Sequence, residues 1–441
     1  MEEKQEAVVA VTKHLKAKLA IGVLLFISYL GFSQAGQGTY TSRVLETAEI
    51  DLLFSYYDQD GQNAAVTGGE GTEELTDATS SIVVKIPINA NDVLTVDVGI
   101  SAYTSASSSN VNPLDGNASD PVSPFIASSG ASRKDQLAHF KPSYQHTSSD
   151  RNTVWIANAY VSNEYDYFSI GFGAGYTRLF NERNTELGIS AQVYLDKWNP
   201  QYPIELRGGF FDDRITGNGT YAPQFTEFLD ETRNSYSVSL SFSQILGKRL
   251  QGALFADIVS QNGLLSTPFQ RVYFGDVEDF FIDAFQLADD VERLPDSRFK
   301  LPIGGRLNYY LNDVIVLRTY YRYYMDNWGI NGHTASLEVP IKLSDKFTLY
   351  PSYRYYTQTA ADYFFRKEGA LSTLEFYTSD YDLSAYDANQ YGMGIRYRDI
   401  FANAKLFSFG LKTIDLRFNQ YDRSDGLSAF IITLGTTFVG N

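Results

Sequence analysis

The sequence predicts an all-β protein, a transmembrane antiparallel up-and-down β-barrel of about 16 strands, with 14 or 18 as alternatives. The last strand, the N-terminal segment and the aromatic content carry that prediction. Near the C-terminus, Phe430, Ile432, Leu434, Thr436 and Phe438 point one way, while Thr433, Gly435 and Thr437 point the other. A period of two over a full strand length is how the closing strand of a barrel reads. Thr433, Gly435 and Phe438 also stand at the spacing favoured by barrel-insertion machinery: polar, glycine two on, aromatic three further. Val439-Gly440-Asn441 departs from it by lacking a terminal aromatic. A soluble sandwich can end in the same way, so the other two observations decide.

Lys13, Lys16 and Lys18 precede an apolar run from Leu19 to Phe32, and Ser33-Gln34-Ala35 places small residues where a signal peptidase cuts. Residues 1–35 are therefore expected to be a secretory signal peptide, too short for a spanning helix. A periplasmic lead-in is expected over 36–48 and the barrel over 49–441. The chain has no cysteine, which excludes a lipoprotein anchor, disulfides, thiolate metal sites and cysteine nucleophiles. Beyond residue 35 no apolar run approaches the ~20 residues of a membrane helix, yet there are 32 tyrosines and 30 phenylalanines. Aromatic girdles of an outer-membrane barrel account for that combination. A net charge of −16 argues against nucleic acid as a partner, because phosphate binding needs a basic footprint.

Strands are expected at 49–57, 79–88, 92–103, 136–147, 152–163, 167–178, 186–196, 233–244, 250–260, 298–311, 314–326, 331–343, 346–359, 389–399, 406–419 and 428–438. The connections test this count. Those after even-numbered strands are short: 89–91, 148–151, 179–185, 245–249, 312–313, 344–345 and 400–405. The long ones, 58–78, 104–135, 197–232, 261–297 and 360–388, all follow odd-numbered strands. Short turns on one rim and long loops on the other put both termini in the periplasm and the loops outside the cell.

The strands also sort by face. Tyr236, Val238, Leu240 and Phe242 alternate with Ser235, Ser237, Ser239, Ser241 and Ser243. Leu187, Ile189, Ala191, Val193 and Leu195 alternate with Glu186, Ser190, Gln192 and Asp196. Ile315, Leu317, Tyr321, Tyr323 and Met325 alternate with Arg318, Tyr320, Arg322 and Tyr324. A lipid-facing charge costs about 2–4 kcal/mol at mid-bilayer, so these charges must face the lumen. In 406–419 the apolar phase changes between Leu411 and Ile414, which a bulge near 412–414 would repair.

Segments 54–77 (FSYYDQDGQNAAVTGGEGTEELTD), 97–106 (DVGISAYTSA), Ser128-Ser129-Gly130-Ala131-Ser132 and Trp198-Asn199-Pro200 resemble a family of outer-membrane proteins known only as a domain of unknown function. The resemblance covers essentially the whole mature chain. It implies a barrel in a Gram-negative envelope and supplies no activity or site. Relatives tend to be encoded beside a periplasmic flavin transferase and a thioredoxin-like protein, which implies association with a redox or metal-related envelope system.

The inward charges divide by half. Strands ten to fifteen present Arg298, Lys300, Arg306, Arg318, Arg322, Lys342, Arg354, Arg396, Arg398, Lys412 and Arg417 against only Asp326, Glu338 and Asp415. Strands one to nine favour acid, with Asp51, Asp97, Glu186, Asp196 and Asp257 against Lys85, Lys141 and His139. Opposed rows of fixed charge orient polar solutes in a channel, so one reading is a porin-like or transport-related barrel with an anion-attracting wall. The other is that the charges are ion pairs that brace and seal the wall. The outer loops are acidic, and Asp58-Gln59-Asp60-Gly61-Gln62-Asn63, with Glu70, Glu73 or Glu74 as the distal carboxylate, partly mimics a calcium loop; a solvated acidic turn is the plainer reading. No other cofactor is expected.

Segment 268–285 holds Phe269, Tyr273, Phe274, Phe280, Phe281 and Phe285, which suits an extended hairpin, a plug or a docking patch for an envelope partner. A loop-plugged structural or docking barrel is thus the alternative to a channel. The stretch 105–132 is loop on composition. His139 faces inward and His146 outward on one strand, so they cannot share a metal. Gly-x-Ser-x-Gly, His-Glu-x-x-His and phosphate-loop motifs are lacking, and no enzymatic role is expected.

Overall fold

The computed structural model describes residues 43–105, 113–114, 134–200, 202, 204–207, 209–221, 223, 230–406 and 408–440. The expected signal peptide, the lead-in up to residue 42 and most of 105–132 lie outside the described residues. The strands are β1 (Glu49–Asp60), β2 (Leu75–Pro87), β3 (Asp92–Ser105), β4 (Lys134–Thr147), β5 (Thr153–Asn163), β6 (Tyr167–Phe180), β7 (Thr185–Trp198) and β8 (Glu231–Gly247). They continue as β9 (Leu250–Gly263), β10 (Ser297–Tyr310), β11 (Val316–Asp326), β12 (Asn331–Glu338, resuming at Ile341–Lys342), β13 (Phe347–Gln358), β14 (Tyr386–Arg398), β15 (Phe409–Arg423) and β16 (Ser428–Gly440). Each pairs antiparallel with its sequence neighbour, and β1 pairs with β16 from Glu49↔Val439 to Asp60↔Ser428. The ring of 16 strands is closed and has no free edge.

Local chemistry explains the irregularities. β12 is interrupted at Val339 and Pro340 because proline cannot donate to the ladder; the Val316 and Lys342 N–H groups keep the neighbouring bonds through Pro340 O and Val314 O. The register between β15 and β16 shifts between Leu411 and Thr413, so a bulge at Lys412 restores the inward phase of Asp415 and Arg417. The first hairpin is longer than the alternation suggests. Phe430 and Thr76 flank Asp58 in continuous ladders, so Asp58 and Asp60 are strand residues and not part of a loop.

Apolar side chains line the outside. Leu240, Ile303, Tyr321 and Met393 are roughly half exposed, and Leu254 is 62% exposed. Near the outer rim, Tyr321, Tyr323, Tyr353 and Tyr355 keep their rings outward, and their hydroxyls bond His333, Asn331, Asn389 and Asp387 on the adjacent strands. An amphipathic ring with one wet end suits a membrane interface.

The buried apolar core lies above the wall, in the loops. Phe280, Ile282, Phe285 and Leu287 form one cluster; Leu206, Tyr273, Ala288 and Val291 a second; Val272, Phe274, Ala370 and Tyr377 a third. These residues come from the fourth (199–230), fifth (264–296) and seventh (359–385) connections, while the first (61–74) packs alongside. Gly68 (φ +79°) touches the Tyr273 ring so closely that a Cβ would sit 2.7 Å from it. Only glycine fits that approach and that backbone conformation together.

Candidate functional site: the lumen and its cap

Three parts make up the interior: a braced periplasmic half, an unbraced middle and a covered outer mouth. In the braced half, the inward faces of β11 to β15 converge. Glu338 accepts from Arg318 and Arg417, each at 2.9 Å, and Asp415 accepts from Arg417 at 2.9 Å and Arg396 at 2.6 Å. The Tyr350 ring lies among the same cations, with the guanidinium carbons of Arg417, Arg396 and Arg318 at 5.0, 5.1 and 6.0 Å from its centroid. The closure seam carries a second network. Lys412 reaches Glu49 at 2.6 Å, Lys85 reaches Asp51 at 2.9 Å and Glu49 at 3.7 Å, and the Thr437 hydroxyl donates to Asp51 at 2.7 Å. Glu49 was missed as an inward residue; it is the first residue of β1, and its shared parity with Asp51 was the available signal. Near the outer rim, Arg298 donates to Asp326 at 2.9 Å and lies over Trp328. Lys342, at the periplasmic rim, pairs with Asp345 at 2.8 Å.

Six of the 11 basic residues expected on this wall are therefore ion-paired. Among the described residues, Lys300, Arg306, Arg322, Arg354 and Arg398 form no ion pair, and the Arg322 Nε is buried without a hydrogen-bond partner. Beside the braced half lies a cavity of about 650 Å³, bordered by Arg396, Asp415 and Arg417 on one side and by Ser55, Thr79 and Thr433 on the other. The acid side of the wall is held by short bonds, with Asp97 accepting from Ser81 at 2.7 Å and Asp196 from Tyr167 at 2.7 Å.

The interlocked loops cover the outer mouth. Arg271 and Glu205, both fully buried, join the fifth loop to the fourth, with Arg271 Nε donating at 2.8 Å. Arg271 also donates to Val66 O in the first loop at 2.9 Å. The Tyr377 hydroxyl donates to Asp290 at 2.6 Å, and the Thr378 hydroxyl donates to Glu292 at 2.5 Å. Inward side chains tie this cap to the wall: Gln59 donates to Glu73 O, Arg233 to Leu264 O, Gln358 to Asp382 O and Arg423 to Tyr381 O. Those four stand on β1, β8, β13 and β15, on both sides of the ring. Burial, then the charge of Asp380, pushes Glu292 up to about 8. Burial raises Glu73 to about 7 and Asp289 to about 6, with neighbouring carboxylates adding to it.

The remaining expected residues fall as follows. Asn63 bridges to Gly71 and donates to Asp425 O at 2.9 Å, while Glu70 meets Lys367 at 3.4 Å. Asp58 accepts from Tyr56 on the outward face of β1, so Asp58, Asn63 and Glu70 of the expected cation loop are engaged separately, and Asp60 is the last residue of β1. Among the described residues no group of three or more His, Asp or Glu is placed to hold a metal ion. Thr433 and Gly435 face inward on β16 opposite Ser55 and Leu53, and Phe438 faces outward opposite Ile50. Tyr273, Phe274, Phe280 and Phe285 of the aromatic segment are buried in the cap, and Phe269 meets Trp198 of the inner wall edge-on at 6.1 Å. His139 bonds Asp97 in the lumen, His146 bonds Asp92 at the periplasmic end, and His333 bonds Tyr321 outside.

An outward apolar band, a charged interior and ring closure define an outer-membrane-type β-barrel. The chain belongs to the family described as "Protein of unknown function (DUF3570)", whose model matches residues 33–427. Comparison with curated proteins finds no match. Solved structures with a similar fold include a bacterial polysaccharide outer membrane secretin, at 10% identity and TM-score 0.44, covering 90% of this chain and 100% of that one. OpdK of Pseudomonas aeruginosa, solved with vanillate, is similar at 8% identity and TM-score 0.38, with 90% and 99% covered. The monoaromatic hydrocarbon channel TodX is similar at 9% identity and TM-score 0.38, with 90% of each chain covered.

Proposed function

We propose that this protein is an outer-membrane, porin-like transport barrel whose outer mouth rests in a covered state under a folded loop cap. The observation that carries the reading is the charged interior. A wall built only to be sealed needs no cations beyond those its carboxylates pair, whereas five basic side chains here form no ion pair among the described residues. Passage requires the cap to part from the rim, and its ties to the wall are individual hydrogen bonds to loop carbonyls and one ion pair, Arg423 with Asp382.

Planar-bilayer recording of the purified protein tests this reading. Rare openings in the wild type, made frequent by Arg233→Gln together with Gln358→Ala, are expected, with a preference for anions that weakens in high salt. Silence from both proteins would overturn the channel reading. It would favour the loop-plugged docking barrel, for which the cap itself is the supporting feature. Placement in the outer membrane is tested by thiol labelling of intact cells, since the chain has no cysteine of its own. Asn218→Cys and Thr373→Cys should label from outside, and Asn89→Cys and Asp345→Cys should stay protected.

A further inference from the structure

We propose that Arg306, Arg322 and Arg354 form a binding station in the lumen for a small multivalent oxyanion, a phosphate or a polycarboxylate; it rests on the transport reading in needing a lumen that solutes enter. The register brings the three together. Arg306, Tyr320, Ser336 and Arg354 occupy one cross-strand row of β10 to β13, and Gly304, Arg322, Thr334 and Tyr356 occupy the next row toward the outer mouth. Arg306 and Arg322 are diagonal neighbours, roughly 7–8 Å apart. Arg354 stands two strands beyond Arg322, about 10 Å across the wall. All three guanidinium groups can thus turn toward one ligand.

The surroundings match that use. Phe255 stacks on Tyr320 at 5.9 Å and covers Gly304, so one flank of the station is an aromatic wall that offers no competing acceptor. Tyr356 shares the row of Arg322 and stands two positions along β13 from Arg354 on the same inward face. The carboxylates nearest in register are already committed, Asp326 to Arg298 and Glu338 to Arg318 and Arg417. Asp257 on the neighbouring β9 forms no ion pair with any of the three among the described residues. The chain carries 52 carboxylate residues against 36 basic ones, so these cations do not stand alone for want of acids. Three like charges in one patch repel unless anions offset them, and the planar fork of Arg suits carboxylate and phosphate oxygens alike.

Calorimetric titration of the full chain in detergent, in a chloride background, with inorganic phosphate and separately with citrate, tests the station. The wild type should bind at least one probe. A tighter response to phosphate assigns a tetrahedral oxyanion, and a tighter response to citrate a polycarboxylate. Arg322→Gln with Arg354→Gln should weaken binding about tenfold or more, while Lys342→Gln, at the periplasmic rim, should leave it unchanged. Heat-modifiable gel mobility reports folding. If the double variant fails to fold, Arg354→Lys, which keeps the charge and loses the fork, should still weaken binding. No binding by the wild type, or undiminished binding by a folded variant, would overturn the station. Bilayer conductance separates the two proposals: conductance without binding removes the station and leaves the channel, whereas binding without conductance removes the channel and leaves the station.

Discussion

The cap and the wall are made by opposite rules from one chain. In the cap, Phe285, Ile282 and Tyr273 are inside, and a buried ionisable group is either ion-paired, as Arg271 is with Glu205, or, like Glu292, held by hydroxyl and amide donors with its pKa raised. In the wall, Leu254 and Met393 face outward and Arg318, Arg417 and Asp415 face inward. The difference teaches that burial here means two things. A cap residue leaves water for protein, and a wall residue leaves water for lipid, so one substitution has different costs in the two places.

The sharpest test is at the buried ion pair. Arg271→Ala should strand Glu205, whose Oε2 already lacks a hydrogen-bond partner, and cost the cap about 3–5 kcal/mol. Limited proteolysis should then cut 264–296 while the barrel keeps its heat-modifiable mobility. Arg271→Met with Glu205→Leu should recover most of the loss. Next in size, Leu240→Arg should cost about 2–4 kcal/mol in lipid, whereas Ser239→Arg, one residue away and inward, should be tolerated; urea unfolding in liposomes compares them. A third effect is set by pH. Glu292 is raised to about 8, so the folded cap holds a proton that the unfolded cap releases. That stabilisation is complete below the ordinary carboxylate range and is lost as pH rises through about 8. Protection factors of the cap amides, taken against the intrinsic exchange rate at each pH, should therefore fall between about pH 5 and 8, and Glu292→Gln should flatten that profile. The smallest change is expected at the seam: Asp51→Asn loses a partly exposed pair with Lys85 and should cost about 1 kcal/mol or less in the same urea assay.

The wall was legible in the sequence because its signal is local. A period of two sorts faces, and short turns alternate with long loops, so all 16 strands and the bulge at Lys412 could be placed from residues near one another. Strand ends were less legible: Asp58 and Asp60 look like turn residues, yet the ladder from Phe430 and Thr76 continues through them. The division of the basic wall into braced and unbraced cations was not legible at all, since Glu338 on β12 meets Arg417 on β15, 79 residues away. The cap escaped for the same reason. Each loop is polar overall with a few aromatics, and the apolar clusters are completed only where the fifth loop meets its neighbours, the fourth in two of them and the seventh in the other.

Ring closure has a kinetic consequence. Asp51 and Thr437 are 386 positions apart, and their strands pair only when the last segment of the chain is present. Until then both β1 and its unfinished counterpart offer rows of unpaired amides and carbonyls, which are templates for aggregation. Contacts of such sequence separation make folding slow, and the wait is longest for the seam. The Lys412–Glu49 ion pair and the Thr437–Asp51 hydrogen bond therefore form last and latch the ring, whereas Lys85 can meet Asp51 as soon as the first hairpin folds.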